Sequence, residues 1–274
     1  MDDEGPVDFL KLHGLGNDFV LIDETGGAKL PDEVRAGLAI GLCDRHTGIG
    51  GDGVLFIGRC GETISFRIFN ADGSEAEMCV NGIRCAALAL RLRLAPELGD
   101  RVEILTKGGS VRTEIIDIHG NTGTVRVETQ FDPRYLGSRE INAGGVTLNY
   151  HLVNVGNPHA VAFVEEPVSL IDVETVGHSM EHHEEFRPEG VNTEFVNVIE
   201  PGRLRMRVHE RGACETQACG SGAIASATAA SQLHPRASWV VEMLGGTLDI
   251  ELGERTVITG PAALVFEGRI HVQA

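Results

Sequence analysis

Two cysteines in this chain sit where a thiol could move a proton. Cys79 opens the run Cys79-Val80-Asn81-Gly82, which continues into Ile-Arg-Cys-Ala-Ala-Leu-Ala-Leu. Cys219 opens Cys219-Gly220-Ser221-Gly222, which continues into Ala-Ile-Ala-Ser-Ala. Each placement puts a thiol at the first turn of an expected helix, beside backbone N–H groups without intrahelical partners. Those donors and the positive end of the helix dipole favour an anion. The anion can be the thiolate itself, whose pKa is then expected to fall below the ordinary ~8.5. It can equally be a substrate carboxylate, which small residues allow close to the backbone. Removing a proton from an α-carbon needs a base near the C–H, and inversion needs an acid on the opposite face. One thiolate and one thiol supply both and exchange roles in the reverse reaction, so the pair titrates as a coupled unit. Ordinary buried cysteines are common, but these two are flanked by Gly, Asn and Ser rather than by apolar residues.

Polar residues in the preceding loops fit the same chemistry. Asn17, Asn70, Asn157 and Asn192 each follow a strand-like run or a glycine turn. Glu210-Arg211 ends a strand-like run nine residues before Cys219, just as Asn70 lies nine before Cys79. An amino acid needs donors for its carboxylate and acceptors for its ammonium, and Asn offers both. Arg211 can grip a second carboxylate bidentately while Glu210 accepts from an amine. Singly, each Asn is also a good turn residue; their concentration near the two cysteines is what points to a site.

The elements that must position these groups are mostly strands. Strand-like runs are expected at 19–23, 53–57, 65–69, 101–106, 110–116 and 124–129. A second set follows at 146–155, 160–164, 194–199, 203–209, 239–243, 247–252 and 256–259. Gly, Asn and Asp punctuate nearly all of them. Helical signals cover 31–43, 82–94, 168–184 and 222–233. Adding 140 to first-half positions lands on matching chemistry in the second: Gly16-Asn17 on Gly156-Asn157, Gly50 on Gly190, Cys79 on Cys219, Gly82 on Gly222. Gly108-Gly109 meets Gly245-Gly246 at an offset of 137. This internal repeat predicts two similar lobes, each built from many strands around one central helix that begins at a cysteine.

Bulk properties bound the remaining possibilities. At 274 residues the chain suits one large domain or two ordinary ones. A formal charge of −17 argues against nucleic-acid and anionic-membrane partners, which need a basic face. The first residues carry neither a basic nor an apolar signal-peptide region, and no run approaches the ~18 apolar residues of a membrane span. Six cysteines without a C-x-x-C pair predict a reduced, cytoplasmic protein. Cys43, Cys60 and Cys85 are read as structural. Gly48-Ile-Gly-Gly-Asp-Gly53 matches G-x-G-x-x-G but precedes a strand instead of opening a helix, so it is not read as a dinucleotide fingerprint. His178, His182 and His183 are read as a solvated helix face without a third metal ligand.

Six ordered blocks give the chain a resemblance to the diaminopimelate epimerases over nearly its full length. They are His13-Gly-Leu-Gly-Asn-Asp-Phe19, Arg45-His-Thr-Gly-Ile-Gly50, Ile68-Phe-Asn-Ala-Asp-Gly-Ser-Glu75, Gly156-Asn-Pro-His159, Val191-Asn192, and the stretch from Glu210-Arg-Gly to Cys219-Gly-Ser-Gly222. The resemblance implies interconversion of LL- and meso-2,6-diaminopimelate without pyridoxal phosphate or metal, in lysine and peptidoglycan-precursor synthesis. It implies an α+β fold of two pseudo-symmetric lobes, each a strongly curved, mostly antiparallel sheet or barrel around a central helix, often assembled as a homodimer. The expected division is 1–122, joined by a C-terminal strand at 264–274, and 123–263.

Carried across residue by residue, Cys79 and Cys219 are the acid/base pair. Asn81, Gly82, Gly220 and Ser221 surround the α-carboxylate, and Asn17, Asn70, Asn157, Asn192, Glu210 and Arg211 hold the rest of the substrate. His159, with Glu210, neighbours and tunes the cysteines. Val80 and Cys214 stand where the family usually has Gly, and Gly53 where some relatives have Gln. Two alternatives remain: a related cofactor-independent racemase with another substrate, and a binding protein regulated by a Cys79–Cys219 disulfide.

Overall fold

The computed structural model describes residues 6–27, 30–61 and 63–271, the side chain of Cys60 excepted. The structural reading of Cys60 and the last three residues of the expected C-terminal strand therefore lie outside the described residues. The chain divides into two units, Met1–Thr129 with Thr259–Ala274, and Gln130–Ile258.

In chain order the first unit contains β1 (Val7–Gly14), β2 (Asn17–Glu24), α1 (Asp32–Cys43), β3 (Gly53–Cys60), β4 (Thr63–Asn70), β5 (Glu75–Ala76) and α2 (Val80–Ala89). It continues with β6 (Arg101–Thr106), β7 (Gly109–His119) and β8 (Thr122–Thr129). The second contains β9 (Arg134–Ala143), β10 (Val146–Asn154), β11 (Pro158–Phe163), α3 (Val173–Glu181), β12 (Asn192–Glu200) and β13 (Arg203–Glu210). After these come β14 (Cys214–Glu215), α4 (Gly220–Leu233), β15 (Ser238–Met243) and β16 (Gly246–Glu251). The last strand, β17 (Thr256–Ile270), begins in the second unit and ends in the first.

Strand pairing in the first unit closes a ring of eight: β1–β2–β3–β4–β6–β7–β8–β17 and back to β1. Seven contacts of the ring join neighbours in sequence or the terminal strand, and β4–β6 is the exception; β2–β3 and β4–β6 are parallel. A parallel neighbour needs a crossover, and α1 and α2 are those crossovers. The second unit repeats the plan in the order β9–β10–β11–β12–β13–β15–β16, with parallel β11–β12 and β13–β15 crossed by α3 and α4. Shared backbone conformations mark the repeat: Gly16 and Gly156 have φ of 85° and 92°, and Gly50 and Gly190 have 81° and 71°. All four lie in the left-handed region that glycine enters without a steric penalty.

The central helices are buried on all sides. Every residue of α2 from Val80 to Ala89 is buried, as is α4 from Gly222 to Ala230. A helix that is apolar all round belongs in a core, and the Ala, Gly and Ser content keeps each one thin enough for a space that strand side chains alone would fill. By contrast α1 buries only Arg35, Ala39, Leu42 and Cys43, the pattern of a helix lying on the outside.

Three sequence expectations are corrected. The unit boundary falls at 129/130 rather than at 122/123, because 122–129 pair along their length with β7. The helix expected over 168–184 is three pieces, with α3 flanked by 3-10 turns at Val168–Leu170 and Glu184–Phe186. The strands expected at 256–259 and 264–274 are one, β17, which runs on to Ile270 through Gly260 and Pro261, residues that read as a break in sequence. Strands β1 and β9 were not among the expected runs.

Candidate active site

Each cysteine is the N-cap of a buried helix. Cys79 has extended backbone (φ −141°, ψ 110°), and its sulfur accepts from Gly82 N–H at 3.4 Å. Cys219 repeats this with φ −122°, ψ 111° and a bond from Gly222 N–H at 3.3 Å. The sulfur thus takes the role that a Ser or Asp oxygen fills in an ordinary cap.

Around Cys79 the structure gathers Asn17, Asn81 and Gly82. Asn17 Oδ1 lies 3.9 Å from the sulfur and accepts from Asn81 Nδ2 at 3.1 Å. Asn81 Oδ1 in turn accepts from Arg84 Nη2 at 2.9 Å. Arg84 is fully buried, and its Nε donates to the Pro261 carbonyl at 3.2 Å, tying the helix to β17. Burial pulls its guanidinium below the usual range. Asn17 Nδ2 donates to Asp52 Oδ2 at 2.7 Å, and Arg45 bridges Asp52 and Asp18 at 2.9 and 2.7 Å. For Asp18 burial works against the charge, but bonds from Arg45 and Lys11 outweigh it and hold the carboxyl below the ordinary range. Asn70 is not drawn in: its Nδ2 donates to Ser74 Oγ at 3.0 Å, the turn role its position also allows. Val80 is buried as the first residue of α2.

Around Cys219 the neighbours are ionisable. Ser221 Oγ lies 3.4 Å from the sulfur. Glu210, at the end of β13, accepts from the Cys219 thiol and from the Thr216 hydroxyl. His159 is buried on β11, its Nδ1 2.6 Å from Glu194 Oε1 and its Nε2 3.0 Å from Asn157 Oδ1. Burial, then the charges of Glu210 and Glu194, push the Cys219 thiol well up, against the bonds from Ser221 and Gly222. The lowering expected from the helix start is thus overturned, because loss of water and two carboxylates outweigh a single N–H and a dipole. Burial likewise raises Glu210, opposed by its hydrogen bonds and by His159.

Asn192 and Arg211 act on the loop more than on the sulfur. Asn192 Nδ2 donates to the Pro158 carbonyl at 3.2 Å, and its Oδ1 accepts Arg211 N–H at 3.0 Å. The Arg211 guanidinium bonds to the Glu189 carbonyl at 2.9 Å and is exposed. Sequence reasoning missed Asp52, Arg84, Thr216 and Glu194. The last sits in β12, whose first five residues are all buried, and a charged residue beside Phe195 and Val196 in a strand-like run was the available signal.

Of the other motifs, Cys43 and Cys85 are buried thiols raised by burial to about 11 and about 12. Glu181 does bring a third ligand-capable atom to His178 and His182, within 4.8 Å, on a partly exposed face. Its two oxygens, however, accept from His209 Nε2 at 3.0 Å and Gly212 N–H at 2.9 Å, anchoring α3 to the loop after β13. A groove over β6–β8 lined by Arg101, Glu103, Arg112, Glu114, Arg126 and Glu128 contains none of the candidate residues. No helix among the described residues is long and apolar enough to cross a membrane.

The fold is one that solved structures share. A phenazine biosynthesis protein of the PhzF family from Enterococcus faecalis superposes with a TM-score of 0.71 at 15% identity, covering 98% of this chain and 100% of that one. A hydroxyproline epimerase from Agrobacterium vitis gives 0.68 at 14%, covering 97% and 91%. At that identity the likeness is one of fold. The sequence comparisons go further. The profile of diaminopimelate epimerase matches residues 9–130 and 151–265. The diaminopimelate epimerase of Nostoc punctiforme is 42% identical over 286 residues, covering 96% of this chain and 99% of that protein. That of Synechococcus elongatus is 40% identical over 289 residues, covering 98% and 99%. The chain belongs to the diaminopimelate epimerase family.

Proposed function

We propose that the protein interconverts LL- and meso-2,6-diaminopimelate by moving the α-proton between Cys79 and Cys219. The observation that carries this reading is the paired cap: two repeated units, each with a thiol at the first turn of a buried helix. In one direction a thiolate takes the α-proton, leaving the electron pair on the carbon, and a thiol delivers its proton to the opposite face. The S–H formed replaces the S–H broken, so the pair begins and ends with one negative charge, which the substrate carries between the two transfers. The electron pair is delocalised into the α-carboxylate, where N–H groups at a helix start are suited to the developing charge. Asn81, Gly82, Gly220 and Ser221 are proposed to hold that carboxylate.

Asn17, Asn157, Glu210 and Arg211 are proposed to hold the rest of the substrate, with Asn70 and Asn192 shaping the loops that carry them. His159 supports Cys219 through the groups it bonds. No pyridoxal phosphate is required, because the charge is taken up by hydrogen-bond donors and the carboxylate. The reaction belongs to lysine and peptidoglycan-precursor synthesis, and we assign it to a cytoplasmic homodimer, which sedimentation at micromolar concentration tests.

The deciding experiment incubates reduced protein with LL-diaminopimelate in heavy water without added cofactor. Meso product carrying α-deuterium is the expected result. Absence of both isomer and deuterium, from folded and reduced protein, overturns the assignment and directs attention to other amino acids and to Val80. Cys79→Ala and Cys219→Ala should each abolish turnover; near-normal rates in either would remove the two-base mechanism.

A further inference from the structure

The two cysteines rest on different floors. A Cβ at Gly82 would meet Leu55 at 3.1 Å and Phe66 at 3.2 Å, whereas one at Gly222 would meet Glu194 Oε1 at 2.8 Å and Met206 at 3.2 Å. Strand register makes the correspondence firm. Phe19 pairs with Gly53 and Leu21 with Leu55 in β2–β3; His159 pairs with Asn192 and Val161 with Glu194 in β11–β12. Leu55 and Phe19 of the first unit are thus replaced by Glu194 and His159 in the second. Since the first unit builds the same barrel and helix with apolar residues there, the fold itself does not require the charged pair.

Glu194 is wholly shielded from solvent, and so is the His159 ring. Only one of its oxygens is bonded: Oε1 meets His159 Nδ1 at 2.6 Å, and Oε2 has no hydrogen-bond partner. Such a group is costly to bury. Its Oε1 lies 2.8 Å from where a Cβ at Gly222 would stand, against the first turn of α4 and the positive end of that helix's dipole. The Cys219 Cβ is 3.3 Å from the same Gly222 Cβ position that stands 2.8 Å from Glu194 Oε1.

We propose that Glu194 is a positioning residue of the Cys219 half-site: it locks the His159 ring against Asn157 and sets a buried negative charge beneath the Cys219 sulfur, so that the unliganded protein carries Cys219 as a thiol. The ionisable groups facing that sulfur are Glu194 on β12 and Glu210 on β13, with His159 on β11 bonded to Glu194. Their combined charge acts in the same direction as burial. The catalytic meaning of the arrangement rests on the epimerisation proposed above, whereas its test reads the thiol directly.

That test is the pH dependence of Cys219 alkylation by iodoacetamide in the full, reduced chain, followed by mass spectrometry of the Cys219 peptide. Glu194→Gln keeps the shape and removes the charge. It should move the Cys219 midpoint down by about 1–2 pH units and leave that of Cys79 in place. An unmoved Cys219 midpoint overturns the proposal. The epimerisation pH profile should shift in the same direction and be restored by Glu194→Asp. Because alkylation needs no substrate, a chain inactive on diaminopimelate would still answer the question. Should Glu194→Gln fail to fold, nitrogen NMR of His159 in the unaltered protein decides: a proton on Nδ1 supports the lock, and an unprotonated Nδ1 overturns it.

Discussion

Leu55 and Glu194 occupy equivalent places in the two units, each beneath the glycine that closes the first turn of a core helix. The same backbone therefore presents one thiol over hydrocarbon and the other over a carboxylate. A reversible two-base reaction does not need chemically equal bases, only bases that can trade one proton.

Gly222→Ala places a methyl group 2.8 Å from a buried carboxylate oxygen and 3.2 Å from Met206. Overpacking of this kind costs about 1–3 kcal/mol. A urea titration should show that loss, and epimerisation should fall at least tenfold because the displaced turn carries the donor to the Cys219 sulfur.

Asn81→Ala removes the acceptor of the buried Arg84 and the donor to Asn17 together. A buried cation that loses a partner costs about 2–4 kcal/mol. The expected outcome is a lower urea midpoint along with lost turnover, and unchanged stability would sink this account of Arg84.

Cys214 is exposed and has φ of 61°, a left-handed conformation that costs an L-residue about 1–2 kcal/mol relative to glycine. Cys214→Gly should raise stability by about 1 kcal/mol and slow oxidative aggregation without altering turnover. A fall in the melting temperature would show that the thiol makes compensating contacts.

Alkaline pH should destabilise the fold. Burial raises the thiol of Cys43 to about 11 and that of Cys85 to about 12, and pushes the Cys219 thiol well up. Above about pH 9 the unfolded chain releases protons that the folded chain keeps, so stability is full below that pH and declines as pH rises. Melting temperatures measured from pH 8 to 11 should fall, and less steeply in Cys85→Ala. A flat profile would mean that these thiols ionise in the folded state.

The repeat was legible because it is written in residues with no substitute: left-handed glycines at 16 and 156 and at 50 and 190, and cysteines that cap helices. Most hairpin strands were legible from alternation and turns, although β1 and β9, each paired with the next strand, were not. What escaped was non-local. Pro261 looks like a strand breaker, yet it sits within β17, its carbonyl held by Arg84 from inside the unit. The Cys219 thiol was misjudged for the same reason. Flanking Gly and Ser announce a helix start, but the carboxylates that outweigh it come from strands β12 and β13. Asn70 ends β4 and Asn192 opens β12 just after the Gly190 turn, and their side chains bond to Ser74 and to the Pro158 carbonyl.

The terminal strand also fixes a timetable. β17 pairs with both β1 and β8, so the ring of the first unit cannot close until residues 259–270 have left the ribosome. Until then β1 and β8 are bare sheet edges, open to pairing with a neighbouring nascent chain. The second unit, encoded in between, is synthesised while the first still waits for its last stave. Truncation within β17 should therefore produce aggregation during synthesis in addition to lost activity.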